Sequence, residues 1–290
     1  MEPEANLQLV KFGLAALSFI ALGGFNPPAN NPATRVVRIV VTDYAFQLPP
    51  ELPAGRVTFV LDNRGKVRHE LSVAMLGPGV TMDQLIAATK ARQGGQRRMR
   101  MPVGILVARG GRSSDGKLST TLLPGRDYAI VCTFRDSAGA PQHIELGMYG
   151  VIHIVSAGAT STAQFPADTI VGMDYAYRAP ATLAPGIHRF AFMNTGKMRH
   201  EADIILLRKG ANPESALAAR RKGADIDSLF ESGIGALIGP PGTSPLGTLE
   251  TTLLAGRDYL ITCGLQDDPQ SPRHFMLGMD AVIHVATRKR

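Results

Sequence analysis

The stretch CTFRDSAGAPQHIELGM, from Cys132 to Met148, has a counterpart later in the chain, CGLQDDPQSPRHFMLGM, from Cys263 to Met279. Most positions differ between the two, but the Cys, one Asp, one Pro, the His and the final Leu-Gly-Met are the same. Agreement at fixed spacing indicates a shared structural or chemical requirement. Cys263 lies 131 residues after Cys132, and the rest of the chain can be searched for the same offset.

The offset of 131 residues relates many other short motifs. It carries Asp43-Tyr44 to Asp174-Tyr175, and Arg68-His69-Glu70 to Arg199-His200-Glu201. No gap is needed between about residue 37 and residue 155. The sequence therefore predicts two copies of one domain, at 33–157 and 167–287, joined by a linker of small residues at 158–166.

Each copy has the pattern of a β-sandwich. Short β-branched and aromatic runs such as RVTFVLDN (56–63) alternate with polar residues and end at Gly- and Pro-containing turns. One helical insertion is expected per copy, with Thr81 as N-cap in the first, and Asn212 as N-cap followed by Pro213 in the second. We predict an all-β fold of two tandem sandwiches, each with a short helix.

The N-terminal segment, residues 1–30, has the pattern of an export signal. Lys11 precedes an apolar run from Phe12 to about Gly24, and a polar, Pro-rich stretch follows. The run has the length of a signal-peptide core and is short for a membrane span. We expect a signal peptide or, alternatively, an uncleaved membrane anchor, and in both cases export to the periplasm or the extracellular space.

The charge balance is basic, with 31 Lys and Arg against 24 Asp and Glu and a net charge of +7. A nucleic-acid binder would also be basic, but it would use stacking aromatic side chains, and this chain has six Tyr and no Trp. We therefore expect no nucleic-acid partner. A basic surface suits an acidic protein or anionic lipid headgroups. The sequence predicts no particular oligomeric state.

Four residues in each copy form a recognisable set of metal ligands. A His follows a strand and a Gly-containing turn, and some sixty residues later a strand ends at a Cys, with a His and a Met in the loop that follows. Two imidazoles, one thiolate and a weak axial thioether make up a type 1 copper site. The candidate ligands are His69, Cys132, His143 and Met148 in the first copy, and His200, Cys263, His274 and Met279 in the second.

On these motifs each copy resembles the cupredoxin family, the blue copper proteins of the plastocyanin and azurin type. The resemblance covers nearly all of both copies and implies Greek-key sandwiches with one copper per domain, held by the eight residues above. Ten residues separate Cys132 from His143, a longer loop than is usual in the family. Copper nitrite reductases also have an extended loop and the His-x4-Met spacing. Glu70 and Glu201 follow the remote His, where the family commonly has Asn.

The same resemblance bears on catalysis. Multicopper oxidases and nitrite reductases add a second copper centre, usually with His-x-His pairs or a His beside the Cys, and the chain has neither. We expect a one-electron carrier rather than an enzyme. The carrier would exchange electrons with a redox partner at an exposed edge of His143 or His274. Two alternatives stay open: a protein that delivers copper, and a metal-free sandwich used for protein binding.

Other recurring residues have simpler interpretations. Asp136 and Asp267 are expected to fix the long loop through Asx-type turns, with no chemical role. Gly65 and Gly196 are interpreted as turn residues. His153 and His284 lie on the last strand of each copy, where we expect them to face solvent or the neighbouring domain.

Overall fold

The computed structural model describes residues 34–91, 99–137, 139–156 and 167–287. The predicted N-terminal export segment at 1–30 and the predicted linker at 158–166 lie outside the described residues. Residues 32–290 group as one compact unit, which contains both copies. In the described ranges, no helix has the length and apolar character needed to cross a membrane.

The secondary structure is almost entirely β, as predicted. In the described residues the first copy holds β1 to β10 and α1, and the second holds β11 to β19 and α2. The bounds are β1 (Arg35–Thr42), β2 (Ala45–Gln47), β3 (Glu51–Pro53), β4 (Gly55–Asn63), β5 (His69–Leu76), α1 (Met82–Lys90), β6 (Arg100–Ala108), β7 (Arg112–Ser113), β8 (Lys117–Leu122), β9 (Asp127–Val131), β10 (Tyr149–Val155), β11 (Asp168–Met173), β12 (Ala176–Arg178), β13 (Thr182–Leu183), β14 (Gly186–Asn194), β15 (His200–Leu207), α2 (Pro213–Arg221), β16 (Phe230–Gly239), β17 (Gly247–Leu253), β18 (Asp258–Thr262) and β19 (Asp280–Val285).

Two sheets run through both copies. One has the order β12-β11-β14-β17-β8-β4-β1-β2, and the other has the order β13-β19-β18-β15-β16-β6-β5-β9-β10-β3. The copies meet where β8 pairs with β17 and where β6 pairs with β16, both antiparallel. The two sandwiches therefore share continuous sheets instead of packing as separate bodies, which the sequence pattern had not indicated.

Strand periodicity separates two kinds of side chain on β5 and β15. Because successive residues of a strand point to opposite faces, His69, Leu71 and Val73 lie on the inner face, and the last two join the main hydrophobic core. Glu70 lies on the outer face. The second copy repeats the arrangement on β15, where His200 shares the inner face with core residues. His69 and His200 therefore project from the core-facing side of their strands.

Both predicted helices are present, with the predicted caps. Thr81 and Gln84 form a capping box at the start of α1, each side chain accepting a hydrogen bond from the other residue's backbone N–H. Asn212 Oδ1 accepts from the Ser215 N–H at 2.8 Å at the start of α2, and Pro213 occupies the first turn. Each helix packs apolar residues onto the outer face of the longer sheet.

Asp203 lies on the outer face of β15 and gives a testable dependence of stability on pH. Burial, together with the charge of Glu201, raises its pKa from 3.8 to about 7. Because the pKa of Asp203 is raised in the folded state, its carboxyl contributes most to the free energy of unfolding below its unfolded pKa. That contribution is lost as the pH rises through about 7. We expect Asp203→Asn to raise the free energy of unfolding of the apoprotein at pH 8 by roughly 1–3 kcal/mol.

Urea unfolding at pH 8 and pH 4.5 measures the difference in free energy of unfolding between Asp203→Asn and the wild type. The gain from Asp203→Asn should shrink at the lower pH, because the wild-type carboxyl is protonated there. Glu51→Gln, which neutralises an exposed carboxylate on β3, serves as the control and should show little change. An equal gain at both pH values would contradict the assignment.

Candidate metal centres

The first centre brings His69, Cys132 and His143 together in the interior. All three side chains are fully buried, and their candidate donor atoms lie within 4.8 Å of one another. The two Nδ1 atoms are 3.1 Å apart, and Cys132 Sγ lies 3.4 Å from His143 Nδ1 and 4.0 Å from His69 Nδ1. Two imidazole nitrogens and one sulfur thus converge on a common point.

The second centre repeats this geometry with His200, Cys263 and His274. The Nδ1 atoms are again 3.1 Å apart, and Cys263 Sγ lies 3.2 Å from His274 Nδ1 and 4.0 Å from His200 Nδ1. These side chains are also buried. Both cysteines are free thiols, and no disulfide joins them.

Local backbone structure explains how one loop places three of the predicted ligands. Cys132 directly follows β9, and its carbonyl accepts a hydrogen bond from the Ile144 N–H at 2.8 Å. The Met148 N–H donates to the His143 carbonyl at 2.9 Å, which closes the His-x4-Met turn. Gly147 adopts a φ of 97°, a left-handed conformation that favours glycine, and this accounts for the Gly before the Met.

The methionines are held beside the other ligands by the backbone. Met148 and Met279 are fully buried, and each carbonyl accepts a hydrogen bond at 3.2 Å from the backbone N–H of the cysteine in its own centre. The backbone of each methionine therefore lies next to the cysteine of its own centre. Within the described residues, the two groups above are the sets of His, Cys, Asp and Glu whose donor atoms converge in this way.

The cysteine sulfurs accept hydrogen bonds from the neighbouring strand. The Glu70 N–H donates to Cys132 Sγ at 3.3 Å, and the Glu201 N–H donates to Cys263 Sγ at 3.4 Å. Burial, with a further contribution from the neighbouring Glu charge, raises the pKa of both thiols to about 12. Each thiol is therefore protonated before a metal arrives, and metal binding must displace that proton.

The Glu after each remote His ties the two ligand segments together. Thr133 Oγ1 donates to Glu70 Oε2 at 2.9 Å in the first centre, and the Gly264 N–H donates to Glu201 Oε1 at 2.8 Å in the second. In both cases the partner is the residue that follows the cysteine. A carboxylate thus connects the two ligand segments from the position where the cupredoxin family commonly has Asn.

A cap of Asp and Tyr side chains covers His143 and was missed by the sequence analysis. Asp136 Oδ1 lies 3.1 Å from His143 Nε2, and Tyr44 Oη donates to Asp136 Oδ2 at 2.7 Å. The Tyr44 ring packs edge-on against His143, with 4.9 Å between ring centroids. Asp136 thus contacts the outer nitrogen of a candidate ligand, a position that the sequence analysis did not predict for it.

The second centre has the same cap. Asp267 Oδ1 lies 3.0 Å from His274 Nε2, and Tyr175 Oη donates to Asp267 Oδ2 at 2.7 Å. His143 is 0% exposed and His274 is 1% exposed. The expectation that one of these histidines presents an exposed edge is therefore wrong, because the long loop and the cap enclose both rings.

Backbone conformation supports a specific role for the caps. Tyr44 and Tyr175 have φ angles of 64° and 61°, which non-glycine residues rarely adopt. A Cβ on Gly65 would lie 2.4 Å from Asp43 Oδ1, so a close approach, and not a left-handed φ, requires this glycine. The recurrence of Asp43-Tyr44 as Asp174-Tyr175 was the sequence signal that could have indicated the cap.

The two centres differ in how the remote histidine is held. His200 Nε2 lies 3.1 Å from Asp174 Oδ1, whereas His69 Nε2 lies 3.7 Å from Asp43 Oδ1 and has no hydrogen-bond partner in the described part of the chain. Hydrogen bonds to the outer nitrogen orient an imidazole and tune its basicity as a ligand. The two centres are therefore expected to have similar but unequal properties.

Two histidines outside the centres, His153 and His284, are surface residues, as predicted. His153 Nδ1 lies 2.7 Å from Asp127 and His284 Nδ1 lies 2.8 Å from Asp258, and both rings are about half exposed. These His–Asp pairs lie on the last hairpin of each copy, away from the donor sets.

The donor set of each centre fits copper. Thiolate and imidazole are ligands that copper accepts in both of its common oxidation states, and a buried trigonal set of two nitrogens and one sulfur is the arrangement of a blue copper site. The N–H donated to sulfur and the carboxylates on the outer imidazole nitrogens are the supporting contacts that such ligands need.

Comparisons with known proteins give matches at the level of structure. No family model matches the chain, and no curated protein matches it. Auracyanin from Roseiflexus castenholzii is 23% identical and covers 41% of this chain and 94% of its own, with a TM-score of 0.29. Copper nitrite reductase from Nitrosomonas europaea is 15% identical and covers 88% of this chain and 94% of its own, with a TM-score of 0.24.

An azurin from Methylomonas sp. strain J is 13% identical and covers 42% of this chain and 98% of its own, with a TM-score of 0.28. The predicted all-β architecture with one short α-helix in each repeat is confirmed. The repeat signalled by the two Cys-to-Met stretches thus folds into β-strands with one short helix per copy, and each copy brings a donor set suited to copper to the equivalent place.

Proposed function

We propose that the chain is an exported electron-transfer protein with two type 1 copper centres, one in each repeat. The observation that carries the proposal is the pair of buried groups in which two Nδ1 atoms and one Sγ atom converge, each with a backbone N–H donated to the sulfur. Bound copper would supply a one-electron couple at each centre.

The protein's contribution is a rigid and dry site. His143 is fixed on its outer nitrogen by Asp136, and Glu70 joins the remote strand to the residue after Cys132. Side chains that are packed and hydrogen-bonded in this way keep the same positions when the charge of the centre changes. Little rearrangement is then needed when an electron arrives or leaves, which favours electron transfer over transfer of the metal itself.

Sheet geometry separates the two centres. His69 and His200 lie on strands that are three neighbours apart, and their registers place them about six residues apart along the strands. With strand spacings of about 4.8 Å and rises of about 3.3 Å per residue, the two histidines are roughly 25 Å apart on a flat sheet. The centres should therefore bind copper independently.

Electron exchange is proposed to occur over the Asp–Tyr caps, because the ligand histidines are enclosed. Tyr44 packs against His143 and is partly exposed, and Leu146 in the same loop is 47% exposed. In the second repeat, Leu277 is 44% exposed next to the equivalent cap. An acidic redox partner would be attracted by the net charge of +7. Export is supported by the apolar run from Phe12 to Gly24.

A copper titration tests this function. We expect the apoprotein to take up two equivalents of Cu(II), to retain them through exhaustive dialysis, and to develop an intense thiolate-to-copper charge-transfer band. Binding without that band would favour a copper-delivery role, which predicts rapid loss of Cu(I) to a chelator. No retained copper, with both thiols still titratable, would favour the metal-free sandwich and would contradict the proposal.

A further inference from the structure

A groove of about 670 Å³ lies where the two copies meet, on the side of β6 and β16. It is lined from the first copy by Arg68, Arg109 and Arg112, and from the second by Arg208. The volume is within the range of sites that enclose small molecules. This groove is separate from both metal centres, since none of the eight candidate ligands lines it.

The charge of the groove is not balanced by its own acidic residues. Two carboxylates line it, Asp115 and Glu231. Glu231 is paired with Arg257 at 2.6 Å, and Asp115 accepts a hydrogen bond from Ser232. The pKa of Glu231 is lowered, first by the hydrogen bond from Arg257 and then by the charges of Arg257, Arg208 and Arg109. Four arginines therefore face two carboxylates that are already engaged.

The groove arginines keep hydrogen-bond donors available. Arg109 Nη2 donates to the Phe230 carbonyl at 2.9 Å, and Arg208 Nε donates to the Ser228 carbonyl at 2.8 Å, which uses one donor of each side chain. Arg68 lies over the Phe134 ring at 5.2 Å. Within the described residues, none of the four groove arginines forms a salt bridge. Each guanidinium has five N–H groups, so most donors have no protein acceptor.

The internal repeat provides a comparison from the same chain. The offset of 131 residues relates Arg109, Arg112 and Arg208 to Pro240, Thr243 and Gly77. The strands that correspond to those of the groove in the other copy are therefore formed without these three charges. The fold of the repeat therefore does not require these arginines. Their clustering at one of two equivalent positions needs another explanation.

We propose that this groove binds a small molecule that carries two or more oxyanion groups, either phosphates or carboxylates. Guanidinium groups present parallel N–H donors that match the oxygens of both groups in a bidentate manner. Arginines from both copies contribute, so an anion bound there would bridge the two repeats across the β6–β16 junction. The inference does not depend on copper, because the groove is complete in the protein chain itself.

Calorimetric titration of the full chain with pyrophosphate, and separately with citrate, tests the proposal at low ionic strength. We expect saturable binding of at least one of these anions to one site per chain. Arg112→Gln, which removes an exposed groove arginine without an observed side-chain partner, should weaken binding about tenfold, and Arg208→Gln should have a similar effect. Far-UV circular dichroism and copper uptake verify that both variants fold.

Arg38→Gln is the matched control, because it removes one exposed positive charge from β1, a strand of the other sheet. Binding of pyrophosphate alone would assign a phosphate ligand, and binding of citrate alone would assign a carboxylate ligand. Binding of both would show that the groove recognises oxyanion groups of either kind. The proposal is overturned if neither anion binds saturably, or if Arg38→Gln weakens binding as much as the groove variants do, because the attraction would then be nonspecific.

Discussion

Replacing both cysteines with serine will abolish the visible charge-transfer band of the copper-loaded protein. Each single change, Cys132→Ser or Cys263→Ser, will remove about half of the band and one equivalent of bound copper. The reason is that each sulfur belongs to a separate donor set, and the two sets lie on strands three neighbours apart. Absorption spectra and metal analysis of the three variants measure both effects.

The single variants provide their own folding control. In each of them the unchanged centre should still bind one copper with its full share of the band, which would be impossible in an unfolded chain. A single variant that loses the whole band with its fold intact would mean that the chain has one shared centre. A single variant that keeps the whole band would mean that its sulfur is not a ligand.

Removing the carboxylate of the cap will weaken copper binding strongly. We expect Asp136→Asn to lower the copper affinity of the first centre about 10–100-fold, because the carboxylate orients His143 and raises the basicity of its Nδ1. The measurement is a competition with a chelator, made in a Cys263→Ser background so that only the first centre binds copper. Asp267→Asn in a Cys132→Ser background is the equivalent test for the second centre.

Asp127→Asn is a matched control for the cap, because it changes the carboxylate partner of the surface residue His153. It should leave copper affinity unchanged. If Asp136→Asn and Asp127→Asn had the same small effect, the cap would be a surface contact without influence on the metal, and the positive φ of Tyr44 would have no functional explanation.

Local and periodic patterns made much of this fold predictable. Caps such as Thr81 and Asn212 act within one helical turn, so residue type and spacing were sufficient to place the helices. The repeat gave the candidate ligand positions twice, and His69 and His200 each begin a strand directly after their turns, as the sequence indicated. Patterns of this kind depend on the nearest few residues and on offsets that can be counted.

The remaining features depend on contacts between distant segments. Tyr44 reaches Asp136 across 92 residues, and only the folded loop brings the carboxylate to His143. β6 and β16 belong to different copies and pair with each other. The sequence of neither strand indicates that it lies at the edge of its copy's sheet and pairs with the other copy. The groove arginines were visible only as an excess of positive charge, because they come from separate loops and strands.

Voltammetry of the copper-loaded protein tests the central claim of electron transfer most directly. We expect reversible one-electron oxidation and reduction at both centres, two electrons per chain, with the copper retained through repeated cycles in the presence of a Cu(I) chelator. Release of copper to the chelator on first reduction would contradict electron transfer, because it would show that the buried donor sets hold the metal for delivery and not for electron exchange.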